Sequence, residues 1–221
     1  MGYKLEDGPL QQLLQTSKLH TLPKGQVLQL TSDRMLFNLV RTGYIKRYSI
    51  TSDGSQSIQS VYGPGDIFPL TPVYKLIFDY DIYHGQEIFY YEAMDDTTVR
   101  SLDETTLLKA LDENQMIYKD LLFVAGVRLG SNIQRLDNMS LKAANKQVAN
   151  QLVHYAKKFG KQVDETIVIQ APLTHQNLAS ILNLARETVS HVLGRFQEKG
   201  LIKHGKLITV TDIERLRREA R

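Results

Sequence analysis

The 221-residue chain contains no cysteine. That absence excludes disulfides, thiolate zinc sites, cysteine-held iron–sulfur clusters and cysteine nucleophiles. It also lacks any apolar run of about eighteen residues or more, so no membrane span is predicted. The opening Met1-Gly2-Tyr3-Lys4-Leu5-Glu6-Asp7 does not have the charged-then-apolar order of a secretory leader, which makes a cytoplasmic protein the expectation. Metal ligands are equally thin. The six histidines are His20, His84, His154, His175, His191 and His204, and no two stand at i, i+3 or i+4, where one helix would present both to an ion. No metal site is expected and no cofactor is evident, haem held through the single His84 being the one alternative.

Charge is present but unevenly spread. Residues 142–221 carry 14 Lys+Arg against 7 Asp+Glu, while the preceding part carries 13 against 17. An acidic front and a basic back imply two modules, the second facing a polyanion.

The texture of the chain divides it further. Residues 19–109 are β-rich, with short runs such as Gln26–Leu30 and Leu36–Val40. Turn signals separate them at Pro23-Lys24-Gly25, Thr42-Gly43, Ser52-Asp53-Gly54 and Gly63-Pro64-Gly65-Asp66. Gly43–Ile50 and Ser57–Tyr62 read as a hairpin turning at Asp53-Gly54. Strands at this spacing form a compact barrel or roll. A short helical pattern follows over Thr105–Leu111, then a longer one over roughly Glu113–Asn138. In the longer one Leu122, Leu129 and Leu136 recur every seven residues, with Ala125, Asn132 and Met139 between them and Ile133 widening the stripe. This is an a/d seam suited to a second copy of the same helix. A helix buried against its own sensor domain would use the same stripe. Another helix is predicted over Leu141–Phe159, ending at Gly160 as a C-cap. The domains are therefore placed at 1–111, 112–140 and 141–221.

Residues 173–200 are the most informative stretch. Thr174, following Pro172, is a good N-cap. Leu178, Ile181 and Leu182 give a short helix its apolar face, and the small Ala179 lets a second helix cross closely. Asn183 suits a turn that needs positive φ. The second helix carries Val189, Val192, Leu193 and Phe196 at i, i+3, i+4, i+7 and stops at Gly200. Its outer face keeps Arg186, Glu187, Ser190 and His191, which are base-reading chemistries: Arg donates twice to guanine, and Glu accepts from cytosine N4. Two β-runs around His204-Gly205 form a hairpin, or wing. Thr174, His175, Thr188, Lys203, His204 and Lys206 are the candidates for phosphate contact. Residues 212–218 form a last short helix with Ile213 and Leu216 inward.

At Arg186-Glu187-Thr188-Val189-Ser190, and across Leu173–Val210, the chain resembles the Crp/Fnr family of bacterial regulators. Lys24-Gly25, the Gly43…Asp53-Gly54 hairpin and Gly63-Pro64-Gly65-Asp66-Ile67-Phe68 are similar to the family's β-roll landmarks. The resemblance implies an α+β protein: an N-terminal β-roll (cupin-like, of the cyclic-nucleotide-binding-domain type), a long dimerisation helix and a C-terminal winged helix-turn-helix. It implies a homodimer on a two-fold double-stranded DNA operator, with RNA polymerase as a further partner and no membrane. Departures from the family pattern are informative. Ala185 stands where a capping Ser is usual, and His191 and His175 stand where Arg is common. Phe68 is followed by Pro69-Leu70, and Thr71–Met94 contains no arginine for a cyclic phosphate, so cAMP binding in the family's manner is not expected. The aromatics there (Tyr74, Phe78, Tyr80, Tyr83, Phe89, Tyr90, Tyr91) read as filling for the roll, with an apolar ligand pocket as the alternative.

The reading is thus a sequence-specific transcriptional regulator governed by an effector other than cAMP, and not an enzyme. A cupin-like enzyme would need more than His20 and His84, far apart in sequence. A winged helix that docks on a protein partner is the remaining alternative.

Overall fold

The computed structural model describes residues 8–29, 36–80 and 88–220. The chain divides into two compact units, Met1–Ser49 with Gln59–Ser131, and Ile50–Ile58 with Asn132–Arg221. Elements run in the order α1 (Pro9–Thr16), β1 (Lys18–Leu22), β2 (Val27–Gln29), β3 (Leu36–Thr42), β4 (Ile45–Ile50), β5 (Gln56–Tyr62), β6 (Ile67–Phe68), α2 (Thr71–Phe78), β7 (Tyr90–Ala93) and β8 (Thr97–Asp103). They continue with α3 (Glu104–Glu113), α4 (Met116–Ser140), α5 (Ala144–Phe159), β9 (Gly160–Val163), β10 (Thr166–Ile169), α6 (His175–Leu182), α7 (Arg186–Glu198), β11 (Ile202–His204), β12 (Ile208–Val210) and α8 (Ile213–Glu219). The division between units falls inside α4.

The first unit holds a β-roll of two four-stranded sheets, ordered β1-β8-β3-β6 and β2-β7-β4-β5, apart from the Ile50–Ile58 hairpin tip, which is grouped with the second unit. Strand periodicity sorts its side chains into two cores. Val40, Ile45, Tyr62, Phe68, Tyr91 and Val99 fill the roll between the sheets. Phe37, Leu39, Ile67 and Leu102, from alternate or adjacent positions on the same strands, pack instead against Leu10, Leu14, Leu107, Leu111, Ile117, Leu121 and Val124 of the helices. The hairpin between β4 and β5 turns where expected, with Gly54 at φ +82°. There the Asp53 carboxylate accepts from Thr51 Oγ1 at 2.5 Å and Ser55 N–H at 3.1 Å. Those bonds hold its pKa down to about 2.

Two helices in this unit were not anticipated. Helix α1 is capped from a distance: the buried Asp120 of α4 accepts from the Leu10 N–H at 2.8 Å. Burial raises the Asp120 pKa. A β-carbon on Gly8 would lie 2.5 Å from that carboxylate, which explains the glycine. Helix α2 begins at Thr71-Pro72, with proline in the favoured first turn. It interrupts what read as continuous β-structure. His84, Tyr83 and Leu30 lie outside the described residues.

In the second unit α5 forms the spine, burying Val148, Leu152, Tyr155 and Phe159. It packs with α6, α7, α8 and β10. Its start is Ala144 rather than Leu141, because Asn138 and Gln147 make a corner. Asn138 Nδ2 donates to the Gln147 carbonyl at 3.2 Å, and Gln147 Nε2 donates to the Leu141 carbonyl at 2.6 Å. Gly160 follows α5, as predicted, but in extended geometry at φ −78° rather than as a left-handed cap. What demands glycine is space: a β-carbon would meet the Ala156 carbonyl at 2.0 Å and Ile167 at 2.5 Å. Gly160 instead opens β9, an unpredicted strand, in a sheet ordered β11-β12-β10-β9.

Candidate nucleic-acid interface

The turn between α6 and α7 is built by local chemistry. Thr174 caps α6 by accepting from the Asn177 N–H at 3.0 Å, and Asn177 Oδ1 accepts in return from the Thr174 N–H at 3.1 Å. The Thr174 hydroxyl is thus committed to the cap. Asn183 ends α6 in the left-handed region, φ 54°, ψ 45°, a conformation that asparagine tolerates better than most residues with a β-carbon. Helix α7 then crosses, burying Val189, Val192, Leu193 and Phe196. Packing that stripe inward leaves Arg186, Glu187, Thr188 and His191 exposed on its first two turns. Ala185 supplies no side-chain cap, so the helix's opening N–H groups keep their capacity for an anion.

Ser190, predicted to read bases beside them, is half-buried and bonded. Its Oγ lies 2.8 Å from His175 Nδ1, and His175 Nε2 lies 3.3 Å from His204 Nδ1. The two imidazoles stack with centroids 4.7 Å apart. This joins the start of α6, the middle of α7 and the wing, which sequence spacing could not reveal. Burial first, then the charges of His204 and Arg186, lower the His175 pKa. The wing is β11 and β12, paired Lys203↔Thr209 and His204↔Ile208. Lys203 and Lys206 stand exposed along it. Helix α8 is capped by Asp212 accepting from the Arg215 N–H at 2.9 Å, with Leu216 fully buried. Ile213 is only half-buried.

Helix α4 presents the seam. Leu122, Leu129 and Leu136 are 74 %, 61 % and 67 % exposed, while Ile117, Leu121 and Val124 on its other side are buried. Asn132 and Ile133 are exposed and Ala125 is half-buried. The repeat is therefore left uncovered among the described residues. In the first unit α2 and the first turns of α4 line an open apolar pocket of about 130 Å³, with Val73, Tyr74, Ile77, Tyr118, Leu122 and Ala125 among its walls. The aromatics divide by role. Tyr91 sits inside the roll, stacked on Phe68 at 5.2 Å, and Tyr90 stacks on Tyr48 at 5.4 Å. Phe78 and Tyr80 are exposed. Among the described residues no group of three or more His, Asp or Glu could hold a metal, and no helix is long and apolar enough to cross a membrane.

A short capped helix, a left-handed turn, a second helix with polar opening turns and a following hairpin define a winged helix-turn-helix, here on a chain that also carries a β-roll. Residues 146–219 match the model of the Crp-like helix-turn-helix domain. A CRP-like cAMP-activated global transcriptional regulator of Mycobacterium tuberculosis is 27 % identical over 184 residues, 83 % of this chain and 79 % of the relative. The anaerobic regulatory protein of Haemophilus influenzae is 23 % identical, covering 88 % and 73 %. Among solved structures, FixK2 from Bradyrhizobium japonicum aligns with TM-score 0.76 at 20 % identity, over 93 % of this chain and 98 % of that one. A CooA variant from Carboxydothermus hydrogenoformans aligns at 0.73 and 21 %, over 95 % and 90 %. Residues 146–219 are thus a Crp-like helix-turn-helix domain, and over most of its length the chain is similar to Crp/Fnr-type DNA-binding transcriptional regulators.

Proposed function

We propose that this regulator binds as a homodimer to a two-fold operator, under the control of an effector other than cAMP. The observation that carries the reading is the open stripe on α4. Leu122, Leu129, Ile133 and Leu136 expose apolar surface at heptad spacing, which water disfavours and a second copy would cover. Asn132 at a seam position would pair with its counterpart and fix register. Two α7 helices would then enter successive major grooves about one helical turn, ~34 Å, apart.

In this reading Arg186 and Glu187 read base edges, with His191 and Ser190 beside them. Lys203, Lys206, His204, His175, Thr188 and the Thr174-capped start of α6 supply phosphate contacts. RNA polymerase is a partner by family resemblance, and the chain has no catalytic role. The M. tuberculosis relative is described as cAMP-activated. Here Thr71–Met94 offers no arginine to a cyclic phosphate, and Tyr62, Phe68 and Tyr91 fill the roll. The α2–α4 cavity is a better-suited effector site, because it is apolar and touches seam residues Leu122 and Ala125. An uncharged ligand there would bias the dimer geometry by population shift. Sedimentation velocity over a wide concentration range tests the first step. A dimer at low micromolar concentration is expected, and a monomer at all concentrations would overturn the two-fold reading.

A further inference from the structure

We propose that His175, Ser190 and His204 form a proton relay that decides which bases Ser190 can read. The inference rests on the reading of α7 as the groove-facing helix and adds a regulated specificity to it. The two links are a short one, Ser190 Oγ to His175 Nδ1 at 2.8 Å, and a longer one, His175 Nε2 to His204 Nδ1 at 3.3 Å. Each neutral imidazole has one donor and one acceptor nitrogen, so the chain of bonds has two arrangements with the same number of protons.

In the first, the Ser190 hydroxyl donates to His175 Nδ1, and His175 Nε2–H donates to His204 Nδ1. The serine oxygen then has only lone pairs to offer, and it accepts from adenine N6 or cytosine N4. In the second, His204 Nδ1–H donates to His175 Nε2, and His175 Nδ1–H donates to Ser190 Oγ. The hydroxyl proton is released outward and suits guanine O6 and N7 or thymine O4. Adding one proton to the pair, on either ring, leaves only the serine bond of the second arrangement, because His175 Nδ1 must then donate to Ser190 Oγ whichever way the bond between the rings runs. Acid therefore removes the acceptor mode of Ser190.

The surroundings favour the neutral pair. His175 lies in the first turn of α6, at the positive end of the helix. From α7 it faces Arg186 and Ser190, and from the wing His204, with Lys203 and Lys206 exposed along the same hairpin. Its own-element neighbours Thr174 and Asn177 are closed in the capping box. Burial and the positive charges hold the His175 pKa below its ordinary value, so both arrangements are open at about pH 8 and the donating one takes over only once the pH falls well below the ordinary histidine range.

The test has two readouts on the full-length chain. Ring-nitrogen NMR of the free protein should show His175 and His204 titrating as a coupled pair, with His175 signals displaced in Ser190→Ala. Independent titration of the two rings overturns the relay. Operator selection from a random duplex pool at two pH values, about 8 and one at which the NMR shows the pair protonated, should then shift preference at one base pair per half-site by about tenfold toward G or T in acid. His175→Asn, which cannot titrate, should bind with preferences that are the same at both pH values. A parent preference indifferent to pH, or a shift that survives in His175→Asn, overturns the proposal while leaving α7 as the reader. Failure of the parent to bind any duplex overturns both.

Discussion

Helices α4 and α7 carry the same kind of signal, an apolar stripe at helical spacing, yet end in opposite states. In α7 the stripe Val189, Val192, Leu193 and Phe196 is at most 5 % exposed, and the polar side faces out. In α4 the heptad leucines face out, and a second set, Ile117, Leu121 and Val124, faces in. One helix is finished by its own fold. The other is amphipathic twice over and has apolar surface left to cover. An apolar period therefore states that something must pack there, and only the packing already present shows whether that something lies in the same chain.

The contrast is sharpest under truncation. Leu193→Ala removes a fully buried side chain and should destabilise the second unit by ~2–5 kcal/mol, read from denaturant midpoints. The same change at exposed Leu136 should alter those midpoints by under ~0.5 kcal/mol once dimerisation is held constant. Equal losses at both sites would erase the distinction between the helices. On the polar side of α7, Glu187→Ala should relax preference at one base pair by ~1–3 kcal/mol in operator selection. Unchanged operators would remove Glu187 from the reading set. Away from α7, Lys206→Ala should weaken all duplexes alike and flatten the salt slope by about 1, and an unaltered slope would sink the wing contact.

A smaller effect concerns His154 on α5. Burial, then Lys158 and Lys157, lower its pKa, so the unfolded chain takes up a proton that the folded one refuses. Its contribution to stability is fully present above the ordinary histidine value of about 6.5 and is lost as pH falls below it. His154→Gln should flatten thermal stability across that acidic window. A profile identical to the parent's would mean that burial does not govern this ring.

What the sequence could disclose follows the range of the interactions involved. The winged helix was legible because Thr174, Asn183 and the stripe of α7 act over a few residues. The roll's hairpin was legible for the same reason, through Asp53-Gly54. Helix α1 was not, since its cap comes from Asp120, 110 positions away. Nor was the extended role of Gly160, which is set by the approach of Ala156 and Ile167. Within the interface, residue type identified Ser190, His175 and His204 separately. Their junction depends on the crossing of two helices and a hairpin, which no spacing encodes. The alternation of Leu122, Leu129 and Leu136 was plain, but its openness became visible only once Ile117, Leu121 and Val124 were seen to satisfy the roll.

The proposed two-fold binding requires α4 to join two copies so that two α7 helices meet one duplex. Hydroxyl-radical footprinting on a selected operator, with the parent and with Leu129→Glu, tests this most directly. The parent should protect two patches about one helical turn apart. The variant, its protomer fold intact by circular dichroism, should lose the paired pattern. Paired protection that persists undiminished in Leu129→Glu would contradict the assignment of the seam.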